Sequence, residues 1–108
     1  MPNNLPAISH HQFLALGLLL GGEQPGRVIR DGVRRYGVRR SLAAFYQFMA
    51  RLERDGLIEG WYDQVHVGDQ LVVERRYRIT AAGTRAWKQT RAFYAAVDGE
   101  VARGPSNA

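Results

Sequence analysis

Residues 41–56 read SLAAFYQFMARLERDG, residues 57–80 read LIEGWYDQVHVGDQLVVERRYRIT, and AAG follows at 81–83. In the first stretch Leu42, Phe45, Tyr46, Met49 and Leu52 recur at helical spacing and share one face. The opposite face carries Arg40, Ala44, Gln47 and Arg51, flanked by Ala43 and Arg54. Ser41 is a good N-cap for this helix, and Gly56 stands where a helix ends in a left-handed residue. Leu57 to Tyr62 and Leu71 to Ile79 have the β-branched and aromatic content of paired strands, with Gly68-Asp69 near the tip of a hairpin. Trp61 and Tyr62 are neighbours on a strand, so one ring is expected on the core and the other on the hairpin. Thr80 then caps another helix.

Upstream, Pro25 suits the first turn of a helix with Val28, Ile29 and Val33 inward and Arg27, Arg30, Arg34 and Arg35 outward. Gly37 ends it, and residues 37–40 turn the chain into the helix capped by Ser41. Two short helices joined by a glycine-containing turn form a helix-turn-helix. A hairpin following at once makes the class α+β, mainly α: a winged helix-turn-helix. In that layout the second helix enters the DNA major groove and the hairpin lies over the backbone.

The first helix opens at Ser9, with Gln12 completing a capping box. Its sequence, HHQFLALGLLL, is apolar on nearly every side, so burial between other elements is expected, and Gly21-Gly22 stops it. From Thr80 to Asp98 a last helix would be ~28 Å long. Ala86, Thr90, Phe93 and Val97 recur along it, with Trp87 and Tyr94 beside them. A small core cannot cover that length, and the leftover stripe calls for a partner chain. The expected division is an arm at 1–8, a DNA-binding domain at 9–79, a dimerisation helix at 80–98 and a frayed tail at 99–108.

The 108 residues bound a single domain with a small core. All the basic residues but Lys88 are arginine, and the net charge is +5. Residues 27–54 hold eight arginines against Asp31 and Glu53, a local +6, which is the footprint of a polyanionic partner. Cysteine is absent, which excludes disulfides, thiolate metal sites and a cysteine nucleophile. The longest apolar run, Phe13 to Leu20, is far short of the ~20 residues that span a bilayer. No basic leader precedes it, so neither a membrane partner nor a signal peptide is expected, and the expected location is cytoplasmic.

Several blocks together resemble the PadR-type transcriptional regulators over roughly residues 10–95. They are Leu14-Ala15-Leu16-Gly17-Leu18-Leu19, Phe45-Tyr46, Arg51-Leu52-Glu53-Arg54-Asp55-Gly56-Leu57-Ile58-Glu59-Gly60 and Arg76-Tyr77-Arg78-Ile79-Thr80-Ala81-Ala82-Gly83. The resemblance implies a homodimer built from the first and last helices, a palindromic operator, and control in some members by small aromatic or amphipathic ligands. It departs from the family where Gln24-Pro25-Gly26-Arg27 replaces a common histidine-glycine-tyrosine run. It departs again where Gln47 stands in place of a proline. A single C-terminal helix implies the shorter members, without a separate sensor domain.

The expected groove face is Arg39, Arg40, Ser41, Ala44, Gln47 and Arg51, with Gln47 suited to adenine and Arg51 to guanine or phosphate. Of Arg75 and Arg76, at least one should meet a phosphate, while cross-strand pairing with Glu59 or Asp63 is an equal alternative for the other. Phe13, Leu16, Leu20, Ala86, Thr90, Phe93, Tyr94 and Val97 are the expected dimer interface, and Trp87 with Tyr94 the walls of a ligand cavity. His10 and His11 point apart on a helix, so no metal site is expected. Ser9 and Ser41 are caps, and the acids form no carboxylate pair, so neither an enzyme nor a cofactor is expected. The reading is a dimeric DNA-binding repressor. A winged-helix protein-interaction module and a ligand-carrying dimer are the alternatives.

Overall fold

In the computed structural model, which describes residues 5–103, the capping box opens α1 (His10–Leu18). The Gln12 amide donates to Ser9 Oγ at 3.1 Å, and the Ser9 amide donates to Gln12 Oε1 at 2.8 Å. A two-residue strand, β1 (Gln24–Pro25), leads into α2 (Gly26–Arg35), with Pro25 as its N-cap residue. After the turn come α3 (Leu42–Arg54), the hairpin β2 (Ile58–Val67) and β3 (Gln70–Ile79), and α4 (Ala81–Arg103). The sheet is antiparallel in the order β1-β3-β2, with Gln24 opposite Tyr77 and Pro25 opposite Arg76.

Both helices of the helix-turn-helix stop in the same way. At the end of α2 the Gly37 amide donates to the Arg34 carbonyl at 3.0 Å and the Val38 amide to the Val33 carbonyl at 3.1 Å. At the end of α3 Gly56 and Leu57 repeat the pattern on Glu53 and Leu52, at 2.9 and 3.0 Å. Each arrangement needs a left-handed residue, and Gly37 and Gly56 have φ of +89° and +76°. Val38, the residue after the first glycine, is buried and pins the turn to the core.

The Thr80–Gly83 block docks α4 on the second of these turns. The Thr80 amide donates to the Leu57 carbonyl at 3.1 Å, and its hydroxyl donates to the Gly56 carbonyl at 2.6 Å. The same Oγ accepts from the Gly83 amide at 3.0 Å, capping α4. A Cβ at Gly83 would run into the Leu57 carbonyl, so only glycine allows this approach. The two most recognisable sequence blocks are therefore the two halves of one joint.

The core gathers Leu16, Leu19, Ile29, Val33, Phe45, Phe48, Met49, Leu52, Ile58 and Tyr77. Each large side chain so buried contributes about 1.5–3 kcal/mol against leaving it in water. Three inward expectations are corrected. Val28 is exposed, Leu42 is 54% exposed and Tyr46 is half-buried, while Phe48 is buried in their place. Leu42 stands on the first turn of α3, beyond the packed surface, whereas the Arg40 guanidinium covers the Phe48 ring at 4.7 Å. Nor is α1 wrapped on all sides: Ala15, Leu16 and Leu19 are buried, Phe13, Leu14 and Leu18 half-buried, and Leu20 exposed.

The hairpin is longer than its composition suggests, because Asp63 to Val67 continue the ladder against Gln70 to Glu74. Neither Trp61 nor Tyr62 reaches the core; Tyr77 is the ring that does. The last helix also runs past Asp98 to Arg103, so residues 99–103, expected to fray, are helical. From Tyr94 to Ala102 every residue but Gly99 is exposed. The radius of gyration of 16.9 Å exceeds the ~13 Å of a compact chain this long because the hairpin and the end of α4 project. Residues 1–4 of the expected arm and 104–108 of the expected tail lie outside the described residues.

Candidate nucleic-acid interface

Ser41 sets the start of α3: its Oγ accepts from the Ala44 amide at 3.1 Å. The buried set Phe45, Phe48, Met49 and Leu52 turns the opposite side of the helix to solvent. There Ala43, Gln47, Ala50, Arg51 and Arg54 are exposed, with Ala44 half-buried beside them. Small Ala43 and Ala50 stand one turn to either side of Gln47, so a helix axis could come close to a groove floor without steric conflict. Arg34 and Arg35 are exposed on the last turn of α2, and Arg39 is exposed in the turn. Among the described residues none of Arg34, Arg35, Arg39 and Arg51 meets a carboxylate. Arg54 lies 4.0 Å from Asp55.

Arg40, expected beside these cations, has a different place. Its guanidinium lies 2.8 Å from Nδ1 of His11 on α1 and stacks over Phe48. Its carbonyl accepts from Arg30 at 3.2 Å. Arg40 therefore ties the turn to α1 and α2. His11 carried no signal for this in the sequence, because the contact joins residues on two separate helices.

The hairpin arginines are all engaged. One Arg75 terminal nitrogen reaches both Glu53 oxygens, at 2.8 and 3.0 Å. Arg76 contacts Glu74 at 2.8 Å and Glu23 at 3.3 Å. Arg78 meets Glu59 at 3.2 Å and lies over the Trp61 ring. Arg75 and Arg76, expected as phosphate ligands, are thus neutralised and mostly covered, with side chains 23% and 19% exposed. Glu53 and Glu74 were not anticipated as partners. Alternation does place Arg75 and Tyr77 on one strand face, opposite Tyr62 and Gly60, and that face packs on α3.

Farther out, residues 62–74 contain Asp63, Asp69 and Glu74 and no Lys or Arg. Tyr62, Val67, Leu71 and Val73 are exposed there. Burial pushes the Tyr77 hydroxyl up to about 12, with the Arg75 guanidinium pulling the other way, so Tyr77 is neutral at any ordinary pH.

The expected dimer and ligand residues divide. Leu16 is 0% exposed and Thr90 2%, so both belong to the chain's own core and neither can face a partner. Thr90 Oγ1 donates to the Ala86 carbonyl at 2.8 Å. Trp87 is half-buried and stacked on Phe13, with centroids 5.3 Å apart and planes 5° from parallel. Gly17 leaves room for its indole. Trp87 therefore joins α1 to α4, with the Arg91 guanidinium also over its ring at 5.7 Å. Tyr94 stacks on His10 at 5.8 Å and borders an open cleft of about 500 Å³ with Phe13, Arg91, Ala95 and Asp98. Leu20, Tyr94, Val97 and Val101 are exposed, and Ala86 and Phe93 are half-buried. Among the described residues no three His, Asp or Glu side chains gather to hold a metal, and no helix is long and apolar enough to cross a membrane.

Several solved structures share this architecture. A PadR family transcription regulator from Clostridium difficile R20291 superimposes with a TM-score of 0.73 at 16% identity, over 88% of this chain and 97% of that one. A transcriptional regulator from Clostridium thermocellum gives 0.66 at 22% identity, over 93% and 100%. PadR of Bacillus subtilis, solved in complex with operator DNA, gives 0.56 at 20% identity, over 71% of this chain and 44% of that one. No protein-family model and no curated protein matches the sequence. The structural likeness establishes the fold: a PadR-like winged helix with a C-terminal helix.

Proposed function

We propose that this chain is a sequence-specific DNA-binding transcriptional regulator, a repressor acting in the cytoplasm, which binds a palindromic operator as a homodimer. The observation that carries this reading is the set Arg34, Arg35, Arg39 and Arg51, exposed on the helix-turn-helix and, among the described residues, without a carboxylate. A folded chain has no internal reason to leave four such cations together, and a phosphate backbone supplies one. Ser41 holds the first turn of α3, and Ala43, Ala44 and Ala50 permit close approach. Gln47 reads adenine, and Arg51 reads guanine or phosphate. The likeness to PadR of B. subtilis, solved in complex with operator DNA, supports DNA as the partner.

The dimer is formed through the exposed stripe Tyr94, Val97 and Val101 on α4, with Phe93 and Phe13 beside it and exposed Leu20 farther along α1. Water would otherwise cover that stripe at a cost. A planar aromatic effector enters the cleft at Tyr94 and, by binding one dimer geometry better than the other, shifts the angle between the two α3 helices. A DNA-free role as a protein-interaction module has one observation in its favour, the acidic and apolar outer hairpin.

Selection of bound duplexes from a random pool, read by sequencing, tests the proposal. The expected result is a palindromic consensus, with sedimentation showing twice the monomer mass. No enrichment, together with no salt-sensitive retention on heparin, would leave the protein-interaction reading.

A further inference from the structure

The contact between Arg75 and Glu53 adds a charged tie between two parts of the interface that also share the core around Ile58 and Tyr77. Glu53 sits on the last turn of α3, the helix that carries Gln47 and Arg51, and Arg75 sits on β3. Both side chains are about three-quarters covered. The guanidinium is further held over the Tyr62 ring at 4.7 Å and the Tyr77 ring at 5.7 Å. One terminal nitrogen of the guanidinium is therefore held by a carboxylate and its face lies against rings, both of which are modes of arginine recognition.

Gly60 shows that the site is shaped for this contact. It lies opposite Tyr77 in the ladder and has no left-handed φ, so an alanine there is not strained by the backbone. A Cβ would nonetheless collide with the Glu53 carboxylate and come within 2.9 Å of both Arg75 Nη2 and the Tyr77 ring. Glycine keeps open the space in which the ion pair sits.

We infer that Arg75, through Glu53, is a positioning residue that fixes the hairpin to α3 and so sets the angle at which α3 meets DNA. This rests on the DNA-binding reading above. Arg75 does not neutralise a phosphate; it is already neutralised. This polar tie, added to the covalent link and to the core shared with Ile58 and Tyr77, keeps Gln47 and Arg51 in register with base edges. Loosening it lowers affinity for the preferred sequence and blurs discrimination, and it leaves the number of released counterions the same.

The experiment measures duplex affinity of the full chain at a series of salt concentrations, on the selected sequence and on random DNA. It compares the unaltered chain with Glu53→Gln, Arg75→Gln, the double variant, and Gly60→Ala, which retains both charges. Thermal melts identify any variant that fails to fold, and Gly60→Ala decides the matter if either charge variant does. The expected result is a loss of roughly tenfold on the selected duplex in each single variant, and the double variant no worse than either. Random DNA should be bound as before, with an unchanged salt slope.

A phosphate-binding Arg75 gives the opposite pattern. Arg75→Gln would flatten the slope by about 0.9, and Glu53→Gln, by freeing the arginine, would tighten binding to all duplexes. That pattern, or unchanged affinity in all the variants, would overturn the inference. Absence of duplex binding by the unaltered chain would overturn the underlying reading and this inference with it.

Discussion

Among the described residues Arg34, Arg35, Arg39 and Arg51 stand on the helix-turn-helix with no carboxylate in reach, whereas Arg75, Arg76 and Arg78 on the hairpin each hold at least one. The residue type is the same, the two regions are adjacent, and only the acids differ. Residues 27–54 contain two acids for eight arginines, while β2 and β3 contain Glu59, Asp63 and Glu74 for three. Arginine density is therefore a poor guide to where unpaired positive charge lies. What distinguishes the two regions is the cation left over after internal pairing. Among the described residues it stands on α2, the turn and α3 and not on the hairpin, while Arg85 and Lys88 on α4 are likewise exposed without an ion pair.

The largest effect is expected from removing that remainder. Replacing Arg34, Arg35, Arg39 and Arg51 together by alanine should abolish duplex binding at physiological salt, since hydrogen bonds to charged groups contribute about 1.5–3 kcal/mol each. Retained binding in an electrophoretic shift assay would erase the distinction between the two regions. Next, Gln47→Ala should cost about 1–3 kcal/mol on the preferred sequence and nothing on random DNA. Equal losses on both would mean that the exposed face of α3 holds the backbone and reads no bases.

On the hairpin the expected effects are smaller. Arg78 and Glu59 are both more than half exposed, so Arg78→Gln should shift folding stability by under ~1 kcal/mol in a denaturant titration. A larger shift would show that the outer hairpin carries structural weight not visible in its contacts. The effect of Tyr77 is absent at neutral pH and appears only in alkali. Its folded pKa of about 12 lies above the ordinary 10, so its contribution to stability is fully present below pH 10 and is lost as pH rises towards 12. Tyr77→Phe should remove that alkaline loss in melts recorded from pH 9 to 12, and a profile unchanged by the substitution would contradict the burial assigned to this ring.

What the sequence discloses and what it hides follow from the range of the interactions. Caps and stops are local, so Ser9 with Gln12, Ser41, Gly37, Gly56 and Thr80 are legible from spacing alone. The helix-turn-helix and hairpin follow from them. The partner of Arg75 is 22 residues away and depends on strand register and on the space at Gly60, neither of which a linear pattern contains. Leu42 and Phe48 are read in the wrong order of burial because helical spacing leaves the edge of a face undefined, and the cover over Phe48 comes from Arg40 in the turn. The expected helix ends at Asp98, just before Gly99, yet a glycine inside a helix costs only about 1 kcal/mol, and the helix formers around it carry α4 to Arg103. On α1 and α4 the stripe is legible and its division is not. Leu16 and Thr90 turn inward and Tyr94 and Val97 outward, because α1 covers only the first half of α4.

The most direct test of the account is the salt dependence of duplex binding with all three hairpin arginines replaced, Arg75→Gln, Arg76→Gln and Arg78→Gln, beside the unaltered chain. Because those cations are internally paired, the slope of log affinity against log salt should be the same for both proteins, whatever happens to the affinity itself. A slope flattened by about 0.9 for each arginine removed would place phosphates on the hairpin and contradict the account.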